Sequence, residues 1–380
     1  MVIGLAPLAG AAAPYLPKDD NAVLERLPTR RDDPRLAELN TLRARLAAAP
    51  TDADAAAAVA RRYFDLANEE GDPRYVGYAE AALRPWREPA APADIQFVRG
   101  LLRQYRHDFD AALADFDRAL AQDPQHFGAR SWKAAIFMVR AEYAAAAREC
   151  AALPVDPQDL YAVGCSAYVQ ATTGRTREAF ARLSAALRGD ADVTQGEKLW
   201  VLTRLGEMAW RMEDAAGADR LFKEALALRL DDNFLLAAYA DFLLDRDRPK
   251  EVVALLKGWE RSDTLLLRLA LAEQRLGARE AAAHIQALAD RFAAAALRGE
   301  RLHMGEEARF LLDLKGDAPA ALRVGLENWN IGQREPRDAL VVLEAAAAAK
   351  DRKAAELVLR WLRDSGFESA KLSRLAASLQ

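Results

Sequence analysis

The side chains best able to do chemistry in this 380-residue chain are few and scattered. Four histidines occur, His107, His126, His284 and His303. His107 falls in a predicted turn and His126 just after a proline, both read as solvated positions. The stretch HMGEEARF sets His303 and Glu307 one helical turn apart with Arg309 nearby. Two ligands fall short of the three or four that hold a transition metal, so no metal site is expected. There is no Gly-rich phosphate loop, no GxSxG turn and no HExxH helix. Paired acids such as Asp32–Asp33 and Asp231–Asp232 stand at turns, where they cap helices. Without a nucleophile beside a base, no catalytic residue, no cofactor and no enzyme activity are expected. One further segment, ENWNIGQREPRDAL, gathers Asn328, Trp329, Asn330, Gln333, Arg334 and Glu335. It offers a ligand pocket, or more simply a helix N-cap with an internal hydrogen-bond network.

The elements that must position these residues are helices. Alanine dominates, in runs such as Ala55 to Ala58 and Ala345 to Ala349, and alanine is the best helix former. The alternating Val, Ile and Thr that a sheet would need are nearly absent. The net charge is −4, from 53 basic and 57 acidic residues of interspersed sign. No basic stripe marks a nucleic-acid partner, and none is expected. No apolar run reaches the ~18 residues that span a bilayer.

The start, MVIGLAPLAGAAAPYLP, is apolar and small, and resembles the core and cleavage region of a secretory signal without the usual leading Lys or Arg. Residues 1–20 are therefore read as a leader or signal remnant. The expected location is exported or periplasmic, with the cytoplasm as alternative. Two cysteines occur, Cys150 and Cys165. An exported chain could join them, but one pair at this spacing is no disulfide framework. They are read as two small buried hydrophobes at helix contacts.

A spacing recurs along the chain. Twelve, sixteen and nineteen residues after Gly100 stand Ala112, Phe116 and Ala119; the same offsets from Gly206 give Ala218, Phe222 and Ala225. Softer copies start at Ala134, Ala167, Ala240 and Leu343, and degraded ones near Ala270 and Ala308. The first two small residues would mark a crossing of paired helices, where bulk would force them apart. The aromatic and the last small residue would fill the space toward the next pair. Short polar turns separate the helices, and proline at unit boundaries ends one and starts the next.

These residues resemble the tetratricopeptide repeat family, over roughly residues 55–365, at a period near ~34 residues. The Trp that the family carries near each repeat start is mostly absent. The resemblance implies an all-α fold, a right-handed superhelical solenoid of about eight to nine antiparallel helix hairpins. Residues 21–54 are read as an N-terminal helical cap. Residues 366–380 are read as a Gly366 stop, a Ser369 cap and a terminal capping helix.

In such arrays the first helix of each hairpin lines the concave surface, where ligands commonly lie. Carried onto this sequence, that face holds Tyr105, Tyr161, Tyr168, Trp200, Glu207, Trp210, Arg211, Asp241, Arg275 and Arg309. Tyr, Trp and Arg supply binding hot spots. The reading is a scaffold that binds a protein or peptide partner, extended or helical, along a concave groove without catalysis. The alternative is a cytoplasmic regulatory or sensor module for a small ligand or another helical-repeat chain. An all-helical enzyme would instead show a deep closed pocket lined by at least two carboxylates.

Overall fold

The computed structural model describes residues 34–86, 90–156, 158–189 and 193–379, and every regular element among them is a helix. The leader expected at residues 1–20 lies outside the described residues, as does the start of the expected N-terminal cap. Helix α1 (Pro34–Ala48) leads into a series of paired helices. The first pairs are α2 (Ala53–Glu70) with α3 (Arg74–Leu83), α4 (Ala93–Tyr105) with α5 (Phe109–Gln122), and α6 (Phe127–Val139) with α7 (Tyr143–Ala151). Next come α8 (Leu160–Thr172) with α9 (Thr176–Gly189), α10 (Gln195–Arg211) with α11 (Ala215–Leu226), and α12 (Asn233–Asp245) with α13 (Pro249–Leu256). The last are α14 (Asp263–Leu276) with α15 (Ala281–Leu297), α16 (Met304–Asp313) with α17 (Ala318–Asn330), and α18 (Pro336–Ala349) with α19 (Arg352–Ser365); α20 (Ala370–Ser378) ends the series.

The turns share one device. A left-handed residue stands in the turn inside each pair: His107, Ala141, Glu213, Asp247 and Lys350 in five of them and glycine in the others. It ends the first helix with a closing bond five residues back, as in Asp108 N to Arg103 O at 3.0 Å and Asp351 N to Ala346 O at 2.9 Å, which satisfies carbonyls the helix leaves open. The next residue is often Asp, which caps the second helix; Asp214 accepts from Gly217 N at 2.9 Å and Asp351 from Ala354 N at 3.0 Å. Local chemistry thus marks where the chain turns within the hairpins.

Packing follows the recurring spacing. A Cβ on Gly100 would stand 2.5 Å from the Phe116 ring, and one on Gly206 would stand 2.9 Å from Phe222. Ala112, Phe116, Ala119, Ala218, Phe222 and Ala225 are all fully buried. The degraded units turn out to be shifted by one residue. Ala281, Ile285 and Leu288 stand 11, 15 and 18 after Ala270, all packed or buried. Ala321, Gly325 and Asn328 stand 13, 17 and 20 after Ala308, and a Cβ on Gly325 would meet Val342 at 3.1 Å and Ala308 at 3.7 Å. A turn one residue shorter or longer moves the second helix's buried positions together, and fixed offsets miss them.

The superhelix closes on itself. Asn233 Nδ2 donates to Asn68 O at 2.7 Å across 165 residues, and Trp361 Nε1 to Tyr143 Oη at 2.9 Å across 218. Thr176 N donates to Glu368 Oε2 at 2.7 Å across 192 residues, and Arg374 bonds Glu213 at 2.9 Å across 161. These contacts, between residues 161 to 218 apart, set one turn of the solenoid against the next. At the end, Gly366 takes φ 63, and Ser369 caps α20 by accepting from Leu372 N. This terminal helix also meets the earlier turn, through Arg374 to Glu213 just after α10 and Lys371 to Asp245 at the end of α12.

The two cysteines are buried as expected but are not separate. Consecutive helices α7 and α8 bring their Cα atoms to 5.6 Å, and Cys150 and Cys165 form a disulfide. Closing a loop of this size stabilises by about 3 kcal/mol on chain-entropy grounds.

Because the Phe116 ring occupies the space a methyl on residue 100 would need, Gly100→Ala is expected to cost about 1–3 kcal/mol in urea unfolding. Adding Phe116→Leu to the same chain should recover part of that loss. Strictly additive losses would show that the two positions do not share the contact.

Candidate binding cavity

The inner helices α8, α10, α12, α14, α16 and α18, with the segment from Phe367 into α20, line a partly open cavity of about 660 Å³. The first helix of each pair supplies the inner face because the second helix packs behind it. Of the residues assigned to that face by sequence, Tyr168, Glu207, Trp210, Arg211, Asp241, Arg275 and Arg309 line the cavity. Tyr105, Tyr161 and Trp200 do not. Tyr105 stands edge-on to Phe64 at 6.5 Å, and burial pushes its hydroxyl up to about 12. Tyr161 and Trp200 stack on each other at 5.1 Å, with Trp200 lying over the bare backbone of Gly164. These three fill seams between neighbouring hairpins.

Charge organises the cavity wall. The Arg204 guanidinium lies between two rings, 4.4 Å from the Tyr168 centroid and 4.2 Å from that of Phe234, a cation–π arrangement. Its Nη1 also donates to Glu207 at 2.8 Å. Asp241 takes Arg268 at 2.7 Å and Arg309 at 2.5 Å. Burial would raise its carboxyl, but the two guanidinium groups outweigh that and hold it at about 2. Trp210 Nε1 donates to Asp245 at 2.9 Å, and Arg275 donates to the Leu244 carbonyl at 2.6 Å.

The polar segment before α18 is both a cap and part of this wall. Glu335 and Asp338 form a capping box, Arg337 pairs with Glu335 at 2.5 Å, and Asn328 Nδ2 donates to Asp338 Oδ1 at 3.0 Å. Burial first, and the Glu335 charge second, push the Asp338 carboxyl up to about 8. Trp329 is buried behind the cap, edge-on to Trp361 at 5.5 Å.

Two histidines depart from the sequence reading. His107 is not solvated: the succeeding superhelical turn covers it, its Nδ1 is buried without a partner, and burial with His303 nearby lowers it to about 4. His126 caps α6 by accepting from Ala129 N at 3.2 Å and is mostly covered. Among the described residues no group of three His, Cys, Asp or Glu side chains is placed to hold a metal ion, and no helix is long and apolar enough to cross a membrane.

Several wall residues escaped the sequence reading. Phe234, Arg204 and Arg268 sit on the inner helices at a phase next to the assigned one, so a finer reading of helix face finds them. Phe367 carries no such signal. It follows the last hairpin and reaches Arg211, 4.6 Å away, only because the solenoid closes.

Stacked hairpins, glycine–aromatic crossings and close successive turns together define an all-α helical-repeat solenoid of tetratricopeptide type. No family model matches the chain, and no curated protein matches it. Among solved structures, the chain is similar to yeast Tom70, at 11% identity over 90% of this chain and 84% of that one, with a TM-score of 0.41. It is also similar to the human IFIT1 dimer with m7Gppp-AAAA, at 14% identity over 91% and 95% of the two chains and a TM-score of 0.43. The P58(IPK) TPR domain overlaps at 14% identity over 91% and 93%, with a TM-score of 0.21. Overlap this partial transfers no function.

The raised carboxyl of Asp338 has a measurable consequence. Between its ordinary range and about 8 the folded chain holds a proton that the unfolded chain has released, so this group's contribution to stability falls as pH rises through that window. Asp338→Asn should remove the dependence, and its stability relative to wild type should grow from pH ~5 to pH ~8. An equal difference at both pH values in chemical unfolding would contradict the assignment.

Proposed function

We propose that the protein is a binding module whose concave cavity receives a short segment of a partner polypeptide, with no reaction performed. The observation that carries this reading is the wall itself, where Trp210, Tyr168 and Phe234 alternate with arginines around a space of about 660 Å³. Aromatics and arginine are the side chains that concentrate binding energy, and a volume of ~300–1,000 Å³ suits a small ligand or a few residues of chain. A long peptide lying in an open groove is disfavoured, because successive turns contact each other and α20 borders the mouth.

The carboxylates of the wall favour catalysis as a second reading, since a pocket with several acids is what a helical enzyme would present. Their engagement argues against it. Asp241 is clamped by two arginines, Glu207 is paired with Arg204, and Glu335 and Asp338 cap a helix. A small-molecule sensor would use the same cavity and differ only in what is captured.

A photo-crosslinking residue at position 207 or 274, both on the cavity wall, should give covalent adducts with a polypeptide in extracts of the source cell. The same residue at exposed position 257 should give none. Equal adducts at 257 would move the interface to the convex side.

We further propose that the protein is exported. The Cys150–Cys165 bridge supports this, because disulfides persist in oxidising compartments and are rare in the cytosol. The mass of the mature chain tests it: loss of the residues before Tyr15 is expected, and a retained start would place the protein in the cytoplasm.

A further inference from the structure

Two arginines of the cavity wall have no ion pair among the described residues: Arg275, which is exposed and donates to the Leu244 carbonyl, and Arg211, which is largely covered. Arg204, Arg268, Arg309 and Arg337 each pair with a carboxylate on the wall. Arg211 Nη1 donates to the Ala171 carbonyl at 3.2 Å, its Cζ lies 4.6 Å from the Phe367 ring centroid, and its Nε, like those of Arg204 and Arg268, is buried with no acceptor. Glu207 and Glu368 are near enough to act on it through space, but Glu207 is committed to Arg204 and Glu368 to Thr176 N. Arg204 opposes the charge, and burial draws the guanidinium below the usual arginine value.

A buried, un-neutralised guanidinium is costly to the fold. It is also a ready receptor for a planar anion, since the fork of donors matches a carboxylate bidentately. We propose that Arg211 seats a carboxylate of the bound segment, beside the Phe367 ring. The proposal rests on the cavity being the binding site. One covered cation flanked by Glu207 and Glu368 calls for a monoanion. A phosphate dianion would leave excess negative charge beside Glu207 and Glu368. The carboxylate comes from an acidic side chain or from a chain terminus, and the two sources are separable.

The first test needs no ligand. Arg211→Met keeps the aliphatic bulk and removes the charge. The Ala171 carbonyl keeps a partner, because Thr176 Oγ1 also donates to it at 3.0 Å. The variant is expected to melt above wild type by about 2 °C or more, as when an uncompensated buried charge is removed. Melting several degrees lower would make Arg211 a structural residue and overturn the proposal.

The second test uses an equimolar pool of N-acetylated hexapeptides, half with amidated and half with free C-termini. Their variable positions draw on Glu, Asp, Gln, Asn, phosphoserine and apolar residues. Peptides retained by the protein in ultrafiltration are read by mass spectrometry. Wild type should enrich carboxylate-bearing members about tenfold over their amide counterparts. Arg211→Gln should retain peptides without that enrichment, and Arg211→Lys, which keeps the charge and loses the fork, should fall between. Enrichment among amidated members assigns the carboxylate to a side chain; enrichment confined to free acids assigns it to the terminus. Retention without carboxylate preference, or preference for phosphoserine, overturns the Arg211 seat and leaves the cavity reading standing. Retention of no peptide overturns both.

Discussion

Close approach of the two helices in each hairpin sets the course of the whole molecule. Where Gly100 or Gly206 leaves bare backbone, the ring of Phe116 or Phe222 sinks against it, and the second helix crosses at a depth no larger residue allows. Alanine at the equivalent places in other units permits nearly the same crossing. Repeated along the chain, this crossing stacks hairpin on hairpin, and the solenoid returns over itself at separations of 161 to 218 residues. The cavity is a result of that return. Had the crossings been wider, the same inner faces would have lined an open trough.

The two kinds of contact have different physical characters. Within and between neighbouring hairpins the burial is apolar and continuous, the main source of stabilisation. Between successive turns the seams are polar: an asparagine on a carbonyl, a glutamate on a backbone amide, an indole on a phenol. Such bonds add little net stability but are demanding in geometry. They fix how the turns sit rather than whether the hairpins fold, which makes the seams the places where the cavity would open.

The cavity wall shows how a charged interior is kept affordable. Most arginines find a carboxylate, and the arginine between Tyr168 and Phe234 also finds two ring faces. Asp338 meets the same difficulty from the other side: burial first, and then the charges of Glu335 and Glu306, keep its proton to a higher pH. Arg211 has a ring face in Phe367 and a carbonyl in Ala171, but no carboxylate. The proposed ligand seat rests on that difference.

The sequence by itself determined the local layer of this protein. Helix propensity wrote the helices, left-handed turn residues followed by capping aspartates wrote the hairpins, and the small–small–aromatic–small spacing wrote their crossings. All act over short stretches of chain; the helices, polar turns and crossings were legible, the left-handed backbone of His107, Ala141, Glu213, Asp247 and Lys350 was not, and the phase of the inner helices placed Tyr168, Glu207, Trp210, Arg211, Asp241, Arg275 and Arg309 on one face. Tyr105, Tyr161 and Trp200 share that phase, yet neighbouring hairpins absorb them, because helical phase does not say how far the next helix overlaps. The one-residue shifts after Ala270 and Ala308 hid two units from fixed offsets. Only the tertiary structure decided that the cysteines meet, that His107 is covered, that Phe367 reaches Arg211 and that the groove is a cavity. Each depends on the small angle added per hairpin and summed over many, and no single stretch of sequence displays that sum.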